Sequence, residues 1–273
     1  MLNKMFLYVG ICLTVVLAVV LCINEYNEES VMTNSGIINI LDLSNKKISW
    51  GIKREKNNVQ PAVGITNKIL IDKYQGICLG NKDKKIIYLT FDEGYEAGYT
   101  SKILDVLKEN NVKATFFITG AYLNNETELV KRMIDEGHIV GNHTVNHPSM
   151  PEVENEETLK KEIMDLHIAV YEKLGYEMRF IRPPKGEYSE RTLAISKQLG
   201  YTTVMWSFAY DDWDVNKQKG DVYAKDKIIS NIHNGSVILL HAVSKDNCNV
   251  LDYCIKELKN QGYEFGDLNL FNR

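Results

Sequence analysis

The sequence predicts an α/β protein, a distorted and incomplete (β/α) barrel of seven or eight parallel strands. Three observations predict it. From residue 85 onward, apolar runs of strand length alternate with helix-period segments. Strands that alternate with helices pair in parallel. Short polar motifs stand where the apolar runs end: Thr90-Phe91-Asp92-Glu93-Gly94, His143-Thr144-Val145-Asn146-His147, Arg182-Pro183-Pro184-Lys185-Gly186, Asp212-Trp213 and Leu239-Leu240-His241. In a β/α barrel the C-terminal strand ends share one face, and active sites sit there.

The elements follow in order. Met5 to Ile23 is a run of 19 residues without a charge, long enough to cross the hydrocarbon layer. Lys4 precedes it and Glu25, Glu28 and Glu29 follow, which favours a cytoplasmic N-terminus and an exported remainder. No small-residue cleavage site closes the run, so residues 1–24 are expected to be an uncleaved membrane anchor, with a cleaved signal segment as the alternative. Residues 25–84 read as a polar stalk and then an irregular lead-in containing Trp50, Pro61 and Tyr74. Residues 85–273 read as the catalytic domain. Its expected strands are 86–91, 114–118, 139–141, 178–181, 202–206 and 237–240. Its expected helices are 101–110, 127–136, 156–174, 189–199, 224–233 and 250–260. The long one carries Leu159, Ile163, Leu166, Val170 and Leu174 at three-to-four spacing.

Composition narrows the function. In 273 residues the net charge is −4, so no basic excess exists to neutralise phosphates, and nucleic acid is not an expected partner. An apolar content of 44% is ample for a core. The five cysteines show no C-x-x-C spacing. Cys12 and Cys22 lie in the apolar run, and Cys78, Cys248 and Cys254 are read as free thiols.

The motifs supply chemistry. His143 and His147, four apart, would share one face of a helical turn and could bind a divalent metal. Asp92 and Glu93 end a buried strand, where adjacent side chains diverge, so one could ligate metal while the other faces a reacting water. Arg182, between Ile181 and two prolines, could hold a carboxylate bidentately and keep it ionised. His241 ends an apolar strand, and Asp212 could fix its tautomer and raise its pKa. Trp213 could wall a small apolar pocket, and His138, His167 and His233 are assigned to structure or surface.

From about Lys85 to Phe265 these motifs resemble the polysaccharide deacetylase family, carbohydrate esterase family 4, which also contains the nodulation-factor deacetylases. The resemblance implies a distorted β/α barrel and metal-dependent removal of N-acetyl groups from amino sugars, or O-acetyl groups from xylan. It makes Asp92 the base, His143 and His147 metal ligands, Arg182 the residue that steadies the base, Asp212 the carboxylate behind the catalytic His241, and Trp213 a wall of the acetyl pocket. The metal would be one divalent ion, zinc or another such as cobalt or manganese. Most members carry a second Asp where this chain has Glu93, and a narrower group carries Asn. Trp50-Gly51, Leu79-Gly80-Asn81, Tyr95-Glu96 and the stretch His241 to Asn247 resemble that narrower group, the spore-cortex muramic acid deacetylases. Glu93 is expected to serve as the third ligand, as in His₂Glu zinc sites. The expected protein is thus a monomeric peptidoglycan deacetylase, extracytoplasmic and held to the membrane or secreted. It would act on N-acetylmuramic acid on the route to muramic δ-lactam. The alternatives are a chitin-oligosaccharide deacetylase, an acetyl-xylan esterase and a glycan-binding pseudoenzyme crippled by Glu93.

Overall fold

A computed structural model describes residues 32–33, 36–37, 39–55 and 57–271. The expected membrane segment, Met5 to Ile23, lies outside the described residues, and no helix among those described is long and apolar enough to cross a membrane. Two compact units divide between Leu43 and Ser44. In the first, β1 (Met32–Thr33) pairs antiparallel with β2 (Gly36–Ile37).

The second unit is the α/β body. Its ribbon β3 (Ile48–Ser49) pairs antiparallel with β8 (Glu187–Tyr188). Helix α1 (Ile65–Lys73) follows β3, and then the main sheet begins. Its strands are β4 (Ile86–Glu93), β5 (Thr115–Ile118), β6 (Ile139–Asn142), β7 (Phe180–Ile181), β9 (Thr202–Thr203) and β10 (Ser236–His241). They lie in the order β10-β4-β5-β6-β7-β9, every pairing is parallel, and β11 (Glu264–Phe265) branches from β4. Past β9 the chain donates from Ser207 N to Val237 O at 2.8 Å, and Phe208 bridges Ile238 of β10. The six strands therefore curl towards each other, and a single bridge spans the gap.

Around the sheet lie α2 (Thr100–Glu109), α3 (Gly120–Asn125), α4 (Thr127–Asp135), α5 (Glu156–Leu174), α6 (Glu190–Gln198), α7 (Asp221–Ser230) and α8 (Lys245–Asn260). Local chemistry sets their ends. Asn155 accepts from Thr158 N and Gly175 takes the left-handed conformation, which fixes α5 over the residues its periodicity marks. Ser189 and Thr192 form a reciprocal capping box for α6.

Strand alternation sorts the side chains of β4. Tyr88 joins Ile77, Phe117, Phe180, Val204 and Val237 in one buried cluster. Phe91, of the other parity, stacks on Phe116 with ring centroids 5.1 Å apart. Asp92 shares the parity of Tyr88, and Glu93 that of Phe91.

Several elements depart from the sequence reading. Strand β4 runs two residues past the expected Phe91, and Asp92 and Glu93 end the ladder itself, as read from the sequence. Helix α3 was not foreseen; its six residues carry no periodic stripe, and the cap of Thr119 on Tyr122 N starts it. Helix α8 begins five residues before the expected Val250, because Ser244 caps it; the buried Asp246 accepts from Gly220 N, and Asn247 is spent on the site below. The lead-in, read as irregular, carries helix α1, and it packs on the barrel: Trp50 N donates to Gly186 O and its indole to Trp206 O. Cys78, Cys248 and Cys254 are free.

Candidate active site

A cleft of about 1300 Å³ opens at the C-terminal strand ends, lined by Asp92, His143, His147 and His241 among others. Asp92 of β4 and His241 of β10 are direct register partners on neighbouring parallel strands. Their backbones are therefore one strand spacing apart, about 4.8 Å.

Arg182, just after β7, is fully buried. Its Nη1 donates to Asp92 Oδ1 at 2.7 Å and its Nε to Val204 O at 3.1 Å. The guanidinium lies over the Phe117 ring, 4.2 Å from the centroid. The expected bidentate grip is thus a single bond, and the buried Arg182 Nη2 has no hydrogen-bond partner among the described residues. Burial pushes the Asp92 carboxyl up, but Arg182, His143 and His241 outweigh it and hold its pKa below the usual aspartate value. A buried carboxylate is thereby kept ionised.

His241 is tuned the other way. Its Nδ1 donates to Asp212 Oδ1 at 2.7 Å, and its backbone N–H donates to Asp212 Oδ2 at 2.8 Å. Burial lowers the imidazole pKa, yet Asp212 overcomes it and the net shift is upward. The bond to Asp212 leaves Nε2 as the proton-carrying atom for the cleft. Asp212 is itself positioned: Asn247 Nδ2 donates to its Oδ2 at 2.6 Å, and the Tyr210 hydroxyl donates to Asn247 Oδ1. Gln218 donates to the Asp212 carbonyl at 3.0 Å. Sequence reading assigned no role to Tyr210, Gln218 or Asn247. The stretch ending in Asn247 was visible, but nothing in its spacing shows that a helix start turns back onto Asp212.

The histidine pair forms, though not on a helix. Residues 143–147 are a loop in which Thr144 and His147 have positive φ, 64° and 56°. These conformations cost a non-glycine residue roughly 1–2 kcal/mol each. They bring the two rings to 4.7 Å. His143 Nδ1 lies 2.8 Å from Arg182 O, a carbonyl that can only accept, so Nε2 carries the free lone pair. Burial lowers the pKa of both rings, and that of His147, helped by His143, to about 4. Two neutral imidazoles side by side fit two nitrogen positions of a divalent metal site.

Glu93 does not stand with them. It does not line the cleft, and among the described residues no three His, Cys, Asp or Glu side chains gather as a metal-holding group. The physical reason is strand alternation: with Asp92 turned to the cleft, Glu93 turns to the helix layer. There it is fully buried, and neither carboxylate oxygen has a hydrogen-bond partner among the described residues. Burial, reinforced by Glu96 and Asp92, pushes its pKa well above the usual glutamate value. The carboxylate that does face the histidines is Asp92, whose Oδ2 is 3.5 Å from His143 Nε2. Trp213 lines the cleft and is 59% exposed, a free platform more than an enclosed wall.

The arrangement pairs an ionised carboxylate with a proton-bearing imidazole across one cleft, which is the equipment of acid–base hydrolysis. The polysaccharide deacetylase family model matches residues 79–204. The peptidoglycan-N-acetylmuramic acid deacetylase PdaA of Bacillus subtilis is 46% identical over 226 residues, covering 82% of this chain and 86% of that protein. The chain belongs to the polysaccharide deacetylase family. The solved structure of Bacillus subtilis PdaA, a family 4 carbohydrate esterase, superposes with a TM-score of 0.81 over 84% of this chain and 98% of that one, at 45% identity. A peptidoglycan-N-acetylglucosamine deacetylase of Bacillus cereus is 36% identical over 199 residues, 71% of each chain. This polysaccharide deacetylase is accordingly a hydrolase with an α/β body of six parallel strands plus a branch.

Two predictions follow from these contacts. If Asp92 acts deprotonated as a base and His241 protonated as an acid, activity should fall on the alkaline side as His241 loses its proton. Asp212→Asn removes what raises that pKa, and the alkaline limb of kcat/KM should move to lower pH; a limb that stays in place separates His241 from the acid role. For Glu93, the raised folded pKa means that its stabilising balance is fully present below the unfolded value of about 4.3 and is lost as pH rises towards the folded one. Glu93→Gln should match wild type in thermal unfolding near pH 4 and gain on it as pH rises. Its zinc affinity, titrated calorimetrically, should stay close to wild type, whereas loss of a true ligand would weaken it by about tenfold or more.

Proposed function

We propose that the chain removes the N-acetyl group from N-acetylmuramic acid in peptidoglycan glycan strands, as a step towards muramic δ-lactam of the spore cortex. The observation that carries the hydrolytic reading is the oppositely tuned pair Asp92 and His241, register partners on one cleft. The substrate is supported by the relation to PdaA, whose name states that activity.

A bound divalent metal would polarise the acetamide carbonyl and acidify a water, and His143 and His147 would hold it. Asp92, kept ionised by Arg182, takes the proton of the attacking water. Attack on the carbonyl carbon gives a tetrahedral centre. Pro183 and Pro184 have no N–H, so the backbone N–H of Lys185 is the donor this loop can offer the oxyanion. His241 Nε2 then gives its proton to the departing amine, and the C–N bond breaks to free acetate and the amino sugar. Asp212, held by Asn247, keeps the imidazole in the tautomer this needs. Trp213 flanks the acetyl group. The intact Asp212–His241 dyad favours this over a binding-only reading, since binding a glycan needs no proton donor.

Asp92→Asn should lower kcat by about a hundredfold or more, the low end for a general acid or base, and should also lower the melting temperature, because it leaves Arg182 buried without its counter-charge. Acetate release from peptide-free glycan strands, read by mass spectrometry with and without chelator, checks this; activity within tenfold of wild type removes Asp92 from the base role. The uncharged run Met5 to Ile23 supports a location outside the cytoplasm on a membrane anchor. Full-length protein resisting carbonate extraction agrees with that, and a soluble form beginning near residue 24 shows a cleaved signal instead.

A further inference from the structure

The charge of −4 on the whole chain conceals a segment of the opposite sign. Residues 46–85 hold ten Lys or Arg and only three Asp or Glu, so the acidic excess belongs to the rest of the chain. This basic segment is the lead-in to β4, and each of its described lysines is exposed. Lys47, Lys68 and Lys73 pair with acids, whereas Lys46, Lys53, Lys82 and Lys84 pair with none among the described residues. Arg54 lines the cleft instead.

The same segment leaves apolar side chains in water. Ile65 and Ile69 of α1 are 82% and 59% exposed, four residues apart and so on one side of the helix. The other side is fixed to the body: Ile71 is buried, and Asn67 accepts from the Tyr188 hydroxyl. Lys53 and Ala62 exchange backbone hydrogen bonds on an antiparallel bridge, so their exposed side chains lie side by side, three residues ahead of Ile65. Gln60 donates to the carbonyls of Gly80 and Asn234, and Asn234 donates to that of Lys82. The turn at residues 82–84 is thereby drawn against the same stretch. That turn precedes β4 and Asn234 precedes β10, so this end of the face lies at the N-terminal strand ends, opposite the cleft. Leu270 stands there too, 75% exposed, in the turn whose Leu268 joins the Tyr88 cluster.

Single exposed apolar residues are ordinary, but apolar residues set among unpaired lysines have the composition of a surface that lies on an anionic interface. We propose that this lead-in face, with Lys53, Ile65, Ile69, Lys82 and Lys84, docks on the anionic lipid headgroups of a bilayer. The lysines meet lipid phosphates, and the two isoleucines enter the headgroup boundary. Charge selects the occupant: the basic face complements an anionic surface that repels the acidic remainder of the chain. Docked this way, the N-terminal strand ends turn towards the lipid and the mouth of the cleft turns away from it. The contact does not depend on the deacetylase reading. The anchor proposed above would supply a second attachment, so that weak lipid contacts still hold the body in one orientation.

The test uses the full-length chain in vesicles of phosphatidylcholine alone and of phosphatidylcholine mixed equally with phosphatidylglycerol, at low and high salt. Amide hydrogen exchange of α1 is read by mass spectrometry against that of α5, which exposes Ile168 and Tyr171 but carries more acids than bases. A lysine at an anionic surface is worth about fivefold in partition, so α1 exchange should slow by about fivefold or more in the anionic vesicles, and salt should remove the effect. Exchange of α5 should not change. Ile65→Ser with Ile69→Ser, and separately Lys53→Gln with Lys84→Gln, should each abolish most of the slowing. All four positions are exposed, so melting temperatures should stay near wild type. Equal exchange in the two kinds of vesicle, or slowing that survives in either double variant, overturns the proposal. Slowing of α1 by soluble polyglycerol phosphate and not by lipid assigns the face to an anionic wall polymer and overturns it as well. Exchange is read without turnover, so failure of the deacetylase reading leaves this result standing.

Discussion

The buried pair of Arg182 and Asp92 is the constraint on which the site depends. Two charges removed from water are costly unless each satisfies the other, and breaking such a pair typically costs about 3–5 kcal/mol. Here the cost serves three purposes through one residue. The Arg182 side chain keeps Asp92 ionised, its Nε ties the segment after β9 to the strand ends, and its backbone carbonyl orients His143. Asp92, the candidate metal ligand His143 and the wall of the cleft are thus coupled through a guanidinium lying on Phe117. Asp212 plays the corresponding part on the far side, held by His241 N–H and by Asn247.

Loops complete what the strands begin, and they do so under strain. Thr144, His147 and Lys185 have positive φ, and each sits on a motif that faces the cleft. A β-branched residue such as Thr144 adopts that conformation only when its surroundings enforce it. The enforcement is visible: Thr144 N donates to Asn142 Oδ1, and Asn142 is in turn held by Ile163 O and the Tyr201 hydroxyl. Helix α5 therefore supports the histidine loop from behind, which links a long amphipathic helix to the geometry of two imidazoles.

Much of this was legible in the sequence. The β/α alternation, the 156–174 helix and the strand-end placement of Asp92, Arg182 and His241 follow from periodicity and breakers. The histidine spacing correctly implied that the rings meet, but the reason offered, a helical turn, is not the one the chain uses. Spacing reports proximity without reporting conformation. Glu93 shows the opposite limit. Its neighbourhood with Asp92 suggested a shared site, yet alternation within the strand sends the two acids to different layers. The roles of Tyr210, Asn247 and Trp50 were not legible, because each acts through contacts between segments far apart in the chain.

The register of β4 against β10 has one more consequence. Since Asp92 and His241 are partners on a single ladder rung, the spacing of their backbones is set by the sheet, and only the segments that carry Arg182 and Asp212 are needed to aim the two side chains. The other loops around the cleft are then free to change length and charge without altering that spacing. A fold built this way separates the part that breaks the bond from the part that chooses the glycan, so new specificities can arise by editing the rim while the reaction is inherited intact.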